Sequence, residues 1–362
     1  MISFARGAPA PECLAVDELA DCARVALERD GVSILSYGPG GGYGPLRERL
    51  AEWYGVDPGR VVITSGSLQG FAFLAEQLVR PGTSVLVEAP TYDRPLKILT
   101  RLGAATVGVP MDEDGLIPDE LPEGDFAFLY TIPTFQNPSG RTLSLERRRR
   151  LAELARERQL LVLEDDPYGL VRYDGDPLPS VFELANSDHV AYCSSFSKTV
   201  APGLRVGWFI LPEQLADEIE ALAVSTYISP PYLTQATVCE LLQRQSFLPN
   251  LERINGLLRA RRDAMLEALA REFPENASWT RPQGGYFVWV NLPSGPLTAD
   301  LLVEAEQAGV TFVKGSDFFP SGKDGERALR LAFSFVSPAE IADGVERLGA
   351  LVRAAAPTAT AF

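Results

Sequence analysis

Short β-branched or apolar runs alternate with longer amphipathic stretches from about residue 60 to residue 223. Strands are predicted at residues 61–64, 84–88, 106–109, 126–131, 160–164, 189–194 and 206–211. Between several of them, residues 66–79, 93–102, 144–158 and 212–223 space their apolar positions as a helix does. Strands this apolar need cover on both faces, so the pattern predicts an α/β fold, a mostly parallel central sheet flanked by helices. Beyond about residue 245 a long helical stretch, 251–273, leads into strands at 286–291 and 328–333, with helices at 298–308 and 338–354. That part reads as a smaller α+β domain. One more helical stretch, 16–29, lies near the start. The predicted organisation is therefore an N-terminal segment, 1–36, packing with the small domain, then a large domain, 37–245, and a small C-terminal domain, 246–362.

Composition narrows the function more than the fold. Apolar residues make up 46% and charged residues 22% of 362, and no apolar run approaches the roughly 18 residues of a membrane span. The first residues, Met1 to Gly7, lack a basic stretch followed by a long apolar one, so a cytoplasmic location is expected. A net charge of −15 argues against nucleic acid, whose phosphates need clustered Lys and Arg. The one basic run, Arg147-Arg148-Arg149-Arg150, sits beside Glu146, Glu153 and Glu157 and reads as an exposed helix face. Four scattered cysteines (Cys13, Cys22, Cys193, Cys239) and the single His189 make no metal-ligand or disulfide pattern.

The polar residues that carry chemistry collect where predicted strands end, which is where open α/β sheets bind ligands. Thr64-Ser65-Gly66-Ser67-Leu68-Gln69 opens a helix and offers backbone N–H groups and a hydroxyl to a phosphate, although Ser67 also reads as a plain cap. Tyr92, after Glu88-Ala89-Pro90-Thr91, is placed to stack on a flat ring or simply to pack. Asn137 stands among Pro133, Pro138 and Gly140, an arrangement that equally suits a turn. In Glu164-Asp165-Asp166-Pro167-Tyr168, consecutive acids emerge from an apolar strand; Asp165 suits either a protonated ring nitrogen or a helix cap. Finally, Lys198, one of only four lysines, lies in Ser194-Ser195-Phe196-Ser197-Lys198-Thr199, followed by Gly203 and Arg205. An amine between hydroxyl donors, near a glycine loop and an arginine, suits an imine with a phosphorylated carbonyl cofactor.

These clusters, in this order and spacing, resemble the class I/II aminotransferases of fold type I, which use pyridoxal 5′-phosphate (PLP), and within them the α-aminoadipate and kynurenine branch. The resemblance runs from Ile2-Ser3-Phe4-Ala5-Arg6-Gly7 to the region of Arg330. It implies that Lys198 forms the internal aldimine and shuttles the substrate proton, while Asp165 pairs with the pyridine nitrogen. Asn137 and Tyr168 match residues that bond the ring oxygen, Tyr92 the stacking aromatic, and Ser67, Leu68, Ser195, Ser197 and Arg205 the phosphate cup. Tyr37 matches a tyrosine that reaches the neighbouring subunit's phosphate, which implies a homodimer. Arg330, with Asn137 and Gly7, matches the substrate site, where a guanidinium grips the α-carboxylate. The implied reaction moves an amino group from an L-amino acid to a 2-oxo acid, 2-oxoglutarate foremost, in a ping-pong cycle. A PLP-dependent lyase, decarboxylase or cyclase is the alternative; a ligand sensor like the aminotransferase-like half of certain regulators is a third reading, disfavoured because no winged-helix region precedes residue 1. Three departures from the family pattern stand out; the one at Leu68 suits a phosphate met by its N–H alone, and the other two bear on substrate choice. Most of the N-terminal arm is missing, Leu68 replaces a common glutamine, and Arg6, Arg94 and Lys314 are cations where relatives often carry small residues or proline.

Overall fold

The seven predicted apolar runs, joined by a short strand that the pattern does not predict, β5, pair into one eight-stranded sheet: β2 (Val61–Thr64), β3 (Ser84–Ala89), β4 (Ala105–Asp112), β5 (Gly115–Leu116), β6 (Leu129–Thr131), β7 (Val162–Asp165), β8 (Val190–Ser195) and β9 (Gly207–Ile210). Their spatial order is β2-β9-β8-β7-β6-β3-β4-β5. The computed structural model describes residues 1–355, so 356–362 of the predicted small domain lie outside the described residues. Strands β4, β3, β6, β7 and β8 run parallel, as the buried runs predict. The link from β8 to β9 has no crossover helix, so β9 returns antiparallel to β8 and pairs antiparallel with β2.

Alternation along the strands sends Leu86, Leu129, Val162 and Val190 to one face and Val87, Tyr130, Leu163 and Cys193 to the other. The first face is covered by α2 (Gly44–Tyr54), α5 (Leu145–Glu157), α6 (Val181–Ala185) and α8 (Tyr232–Gln243). On the second lie α3 (Ser67–Leu78), α4 (Asp93–Arg101) and α7 (Glu213–Tyr227). Helix α8 escapes the periodicity because it is buried nearly all round: the polar Gln235 and Thr237 are enclosed together with Ala236, Val238 and Cys239, so its polar positions do not gather on one exposed stripe.

A second sheet, β10 (Ser278–Trp279), β11 (Phe287–Asn291), β14 (Ala328–Ala332) and β13 (Val313–Lys314), is antiparallel and packs on α9 (Phe247–Glu272) and α11 (Pro338–Ala355), with α10 (Thr298–Gln307) beside them. β1 (Ile2–Ser3) pairs in parallel with β12 (Val310–Thr311), and Phe4, Ala10 and Cys13 enter this second core.

Two expectations are corrected. Helix α1 (Val16–Ile34) does not pack on the small sheet: its buried Cys22, Ala26 and Ile34 join the first face's core, and the helix lies along α8. Nor is the arginine run wholly a solvent face. Arg148 is buried in line with Leu151, Ala152 and Ala155 and donates to the carbonyls of Leu143 (2.9 Å) and Pro133 (2.9 Å) and to Thr134 Oγ1 (2.8 Å). Its Nη1 stands 3.8 Å from the buried Glu164.

Candidate active site

The strand ends of the large sheet and the edge of β14 enclose a cavity of about 390 Å³. Every site residue expected from the sequence lines it except Tyr37, which is 81% exposed on the link between α1 and α2. The cavity floor is Asp165, at the last position of β7. Its Oδ2 accepts a hydrogen bond from Tyr130 Oη at 2.7 Å, while Oδ1 is buried with no partner. Burial, helped by the Asp166 charge, pushes the Asp165 carboxyl up to about 6, against the pull of the Tyr130 hydroxyl, the neighbouring Cys193 thiol and, least of all, the Lys198 charge.

Lys198 approaches from the turn after β8. Its Nζ donates to the Gly7 carbonyl at 2.7 Å and lies 5.7 Å from the Tyr168 ring and 5.3 Å from the Tyr286 ring. Burial first, then the charges of Arg330 and Arg205, lower its pKa to about 8, with Asp165 opposing. Gly7 has to be glycine, since a Cβ there would stand 2.5 Å from Phe287 Cζ.

One end of the cavity is built for an anion. Gly66 adopts φ +80°, and a Cβ on it would fall 2.2 Å from Arg205 Nη2, so the arginine closes directly over the start of α3. No side chain caps α3, which leaves its first N–H groups, at Ser67 and Leu68, facing the cavity with the positive end of the helix dipole. Ser195 and Ser197 join their hydroxyls at 2.6 Å beside them. Arg205 itself has φ +52°, uncommon outside glycine, and donates to Ser65 O at 2.8 Å.

At the other end, Arg330 of β14 donates to Asn137 Oδ1 (2.9 Å) and to Ala5 O (2.8 Å), and its buried Nε has no partner. Phe287 and Phe318 rings lie 4.3 Å and 4.9 Å from its guanidinium carbon, which holds the plane in place. Because Asn137 gives its oxygen to Arg330, its amide N–H₂ is free for the cavity. Tyr92 lines the wall between the two ends. Of the three extra cations only Arg94 reaches the cavity. Arg6 lies over the Phe335 ring at 4.0 Å, and Lys314 pairs with Asp317 at 3.4 Å.

The model of the family described as "Aminotransferase class I and II" matches residues 8–348. The chain belongs to this family. A 2-aminoadipate transaminase of Thermus thermophilus is 39% identical over 96% of this chain and 89% of its own. Among solved structures, an α-aminoadipate aminotransferase from Thermus thermophilus, complexed with N-(5′-phosphopyridoxyl)-L-leucine, superposes with a TM-score of 0.93 at 38% identity, over 98% of this chain and 92% of that one. Kynurenine aminotransferase of Pyrococcus horikoshii gives 0.94 at 34% identity, over 98% and 91%.

Three features of this aminotransferase site were not read from the sequence. Tyr130, the hydroxyl that bonds Asp165, was legible only as a strand residue, although it shares the pleat parity of Leu163 and Asp165 across β6 and β7. Tyr286 donates from its hydroxyl to Lys198 O at 2.9 Å across 88 positions, a pairing no local pattern marks. Glu88, whose carboxyl burial pushes up to about 7, is fully enclosed at the end of β3. The described residues contain no group of His, Cys, Asp and Glu fit to hold a metal.

Proposed function

We propose that this aminotransferase uses PLP to move the amino group of an L-amino acid to a 2-oxo acid, with 2-oxoglutarate as acceptor, in a ping-pong cycle. The carrying observation is the partnerless Asp165 Oδ1, buried opposite a lone lysine amine in a cavity whose one end is an anion cradle and whose other is a guanidinium. Those groups fit a phosphorylated pyridine aldehyde. When bound, PLP supplies the carbonyl that takes the amino nitrogen and the ring that accepts the electrons left behind by a departing proton.

The chain's own residues do the rest. Ser67, the Leu68 N–H, Ser195, Ser197 and Arg205 bind the phosphate; Asp165 supplies the negative charge that keeps a ring N–H protonated. Tyr92 packs against the ring, while Asn137 and Tyr168 face its oxygen. Lys198 Nζ, whose pKa burial and two arginines lower to about 8, is the base that would take the proton from the substrate Cα and hand it to the former carbonyl carbon of the bound cofactor. Arg330 and the Asn137 amide grip the α-carboxylate, with Gly7 closing the site beside Lys198. Arg94 adds a cation at the mouth. Its nearest acid, Asp93, is 3.8 Å away and is already bonded to Lys97 at 2.6 Å, so Arg94 can meet an acidic substrate side chain.

We place the enzyme in the cytoplasm as a homodimer in which Tyr37 serves the partner's phosphate site. Among the described residues no helix is long and apolar enough to cross a membrane. The test is spectroscopic. Given L-glutamate alone, the loaded enzyme should convert to the pyridoxamine absorbance and stop, and 2-oxoglutarate should reverse it. Continued consumption of the amino acid with no acceptor present would refute transamination, and a panel of acidic, aromatic and branched donors then ranks substrates.

A further inference from the structure

Glu88 is buried on the pleat face of Thr131 and Glu164, opposite to Tyr130 and Asp165, and does not line the cavity. Its Oε1 accepts hydrogen bonds from Thr131 Oγ1 at 2.6 Å and from the Ile132 N–H at 3.1 Å. Its Oε2 accepts from Gln136 Nε2 at 2.9 Å. Gln136 uses the rest of its amide as well: Nε2 also donates to Pro90 O at 2.8 Å, and Oε1 accepts from the Ser139 N–H at 2.8 Å. The amide has one workable orientation, because a flip would set its oxygen against Glu88 Oε2 and Pro90 O. A buried acid is costly to keep unless its oxygens are satisfied, and here one stretch, Thr131 to Gln136, satisfies both of them while its Gln136 amide also ties down the Pro90 carbonyl. Gln136 precedes Asn137, which bonds Arg330, and Pro90 begins the segment that carries Tyr92.

We propose that Glu88 is a positioning residue of the transamination site: through Gln136 it holds Asn137 where that amide and Arg330 together receive the substrate α-carboxylate, and through the Pro90 carbonyl it keeps the Tyr92 segment in step with them. The inference rests on the reading that Arg330 and Asn137 bind this carboxylate. Glu88→Gln keeps the shape of the side chain but turns one acceptor into a donor. With the new amide nitrogen toward Gln136, that side chain faces a donor and can regain a bond to residue 88 only by releasing Pro90 and Ser139; with it turned the other way the Ile132 N–H faces a donor instead, so the stretch leading to Asn137 loses a bond in either orientation. Gln136→Glu breaks the same relay from the other side by confronting Glu88 and Pro90 O with an acceptor.

The experiment is a single-turnover titration of PLP-loaded wild type, Glu88→Gln, Gln136→Glu and Arg330→Lys with L-glutamate, following loss of the aldehyde-form absorbance, beside fluorescence titration of each apo-protein with PLP. Each relay variant should raise the half-saturating L-glutamate concentration about tenfold or more, lower the maximal rate by a smaller factor, and weaken PLP binding by less than it weakens L-glutamate, because PLP is also held by the phosphate cradle and Asp165, which the relay does not touch. An unchanged half-saturating concentration in either folded, loaded relay variant overturns the assignment, as does a fall confined to the maximal rate. If Glu88→Gln does not fold, Gln136→Glu decides alone. A wild-type half-saturation in Arg330→Lys instead overturns the carboxylate reading beneath the proposal, and the two failures are thereby told apart.

Discussion

Lys198 shows how much of the chemistry is set within a few ångströms. The amine is enclosed, two arginines face it across the cavity, and a single acid opposes them, so the protonated form is disfavoured and the pKa falls to about 8. The sign follows directly: below that pH the apo-enzyme amine is mostly protonated and has no free electron pair, above it the pair is available. Uptake of PLP by apo-enzyme, followed by absorbance, should therefore accelerate as pH rises from 6.5 through about 8 and level off above. A rate still rising steeply near pH 10 would mean that the lysine keeps its ordinary pKa, and a rate flat across the window would mean that its deprotonation does not limit uptake. Lys198→Ala should fold and hold PLP reversibly, removable by dialysis, with multiple turnover lost by at least about 10³-fold, the scale of losing an acid–base group together with covalent attachment. Asp165 is the counterpart. Its second oxygen is occupied by Tyr130, so the acid is aimed by a hydroxyl as well as by its strand.

At the scale of elements, α5 separates what a pattern can carry from what it hides. Four consecutive arginines beside three glutamates look like a solvated face, and Arg147 and Arg150 do pair with Asp112 and Asp119 at the surface. Yet position 148 is three, four and seven residues before Leu151, Ala152 and Ala155, which is the buried stripe itself, so helical periodicity marked it and charge concealed it. Burial lowers the pKa of Arg148 and pushes Glu164 up to about 7, with the arginine charge pulling the acid back down. Removing one member leaves the other uncompensated. Arg148→Met should therefore destabilise the protein by about 3–5 kcal/mol, whereas Arg149→Ala, on the exposed side, should stay within about 0.5 kcal/mol. Urea denaturation of the two variants checks this, and equal midpoints would show that Glu164 is neutral and asks nothing of its neighbour. Strands β2, β3, β6, β7, β8 and β9 were readable because burial on both faces makes each a largely apolar run, whereas the two-residue β5 at the sheet's edge was missed. Helices α2 and α8 were not readable either, one being short and highly charged and the other almost wholly buried.

For the whole molecule, the site was legible in pieces while its assembly was not. Lys198, Asp165 and the start of α3 each announce a strand end, but Arg330 and Asn137 are 193 positions apart, and only folding the small sheet against the large one brings them to 2.9 Å. The same limit explains α1: its stripe shows that it packs, not on what. Tyr37 extends the question past one chain. It stands 81% exposed, with Val32 (87%) and Leu35 (69%) just before it. Gly40 presses the following turn onto Val224 of α7, where Val224 and Ile228 are also exposed. An apolar surface of this kind is what a second copy would cover. If Tyr37 serves the partner's phosphate site, Tyr37→Phe should weaken PLP binding about tenfold, the value of one hydrogen bond to a charged group. A hybrid dimer of one Lys198→Ala subunit and one Tyr37→Phe subunit then has a sharp signature. The intact lysine belongs to the Tyr37→Phe chain but receives its tyrosine from the other, so one site of the pair is native and one doubly damaged. Titrated with PLP, the hybrid should show half the wild-type activity at wild-type affinity. Activity that needs the tenfold higher PLP concentration of the Tyr37→Phe homodimer would place the tyrosine in its own subunit's site, and an enzyme that remains monomeric in sedimentation while fully active would rule out a tyrosine shared between subunits.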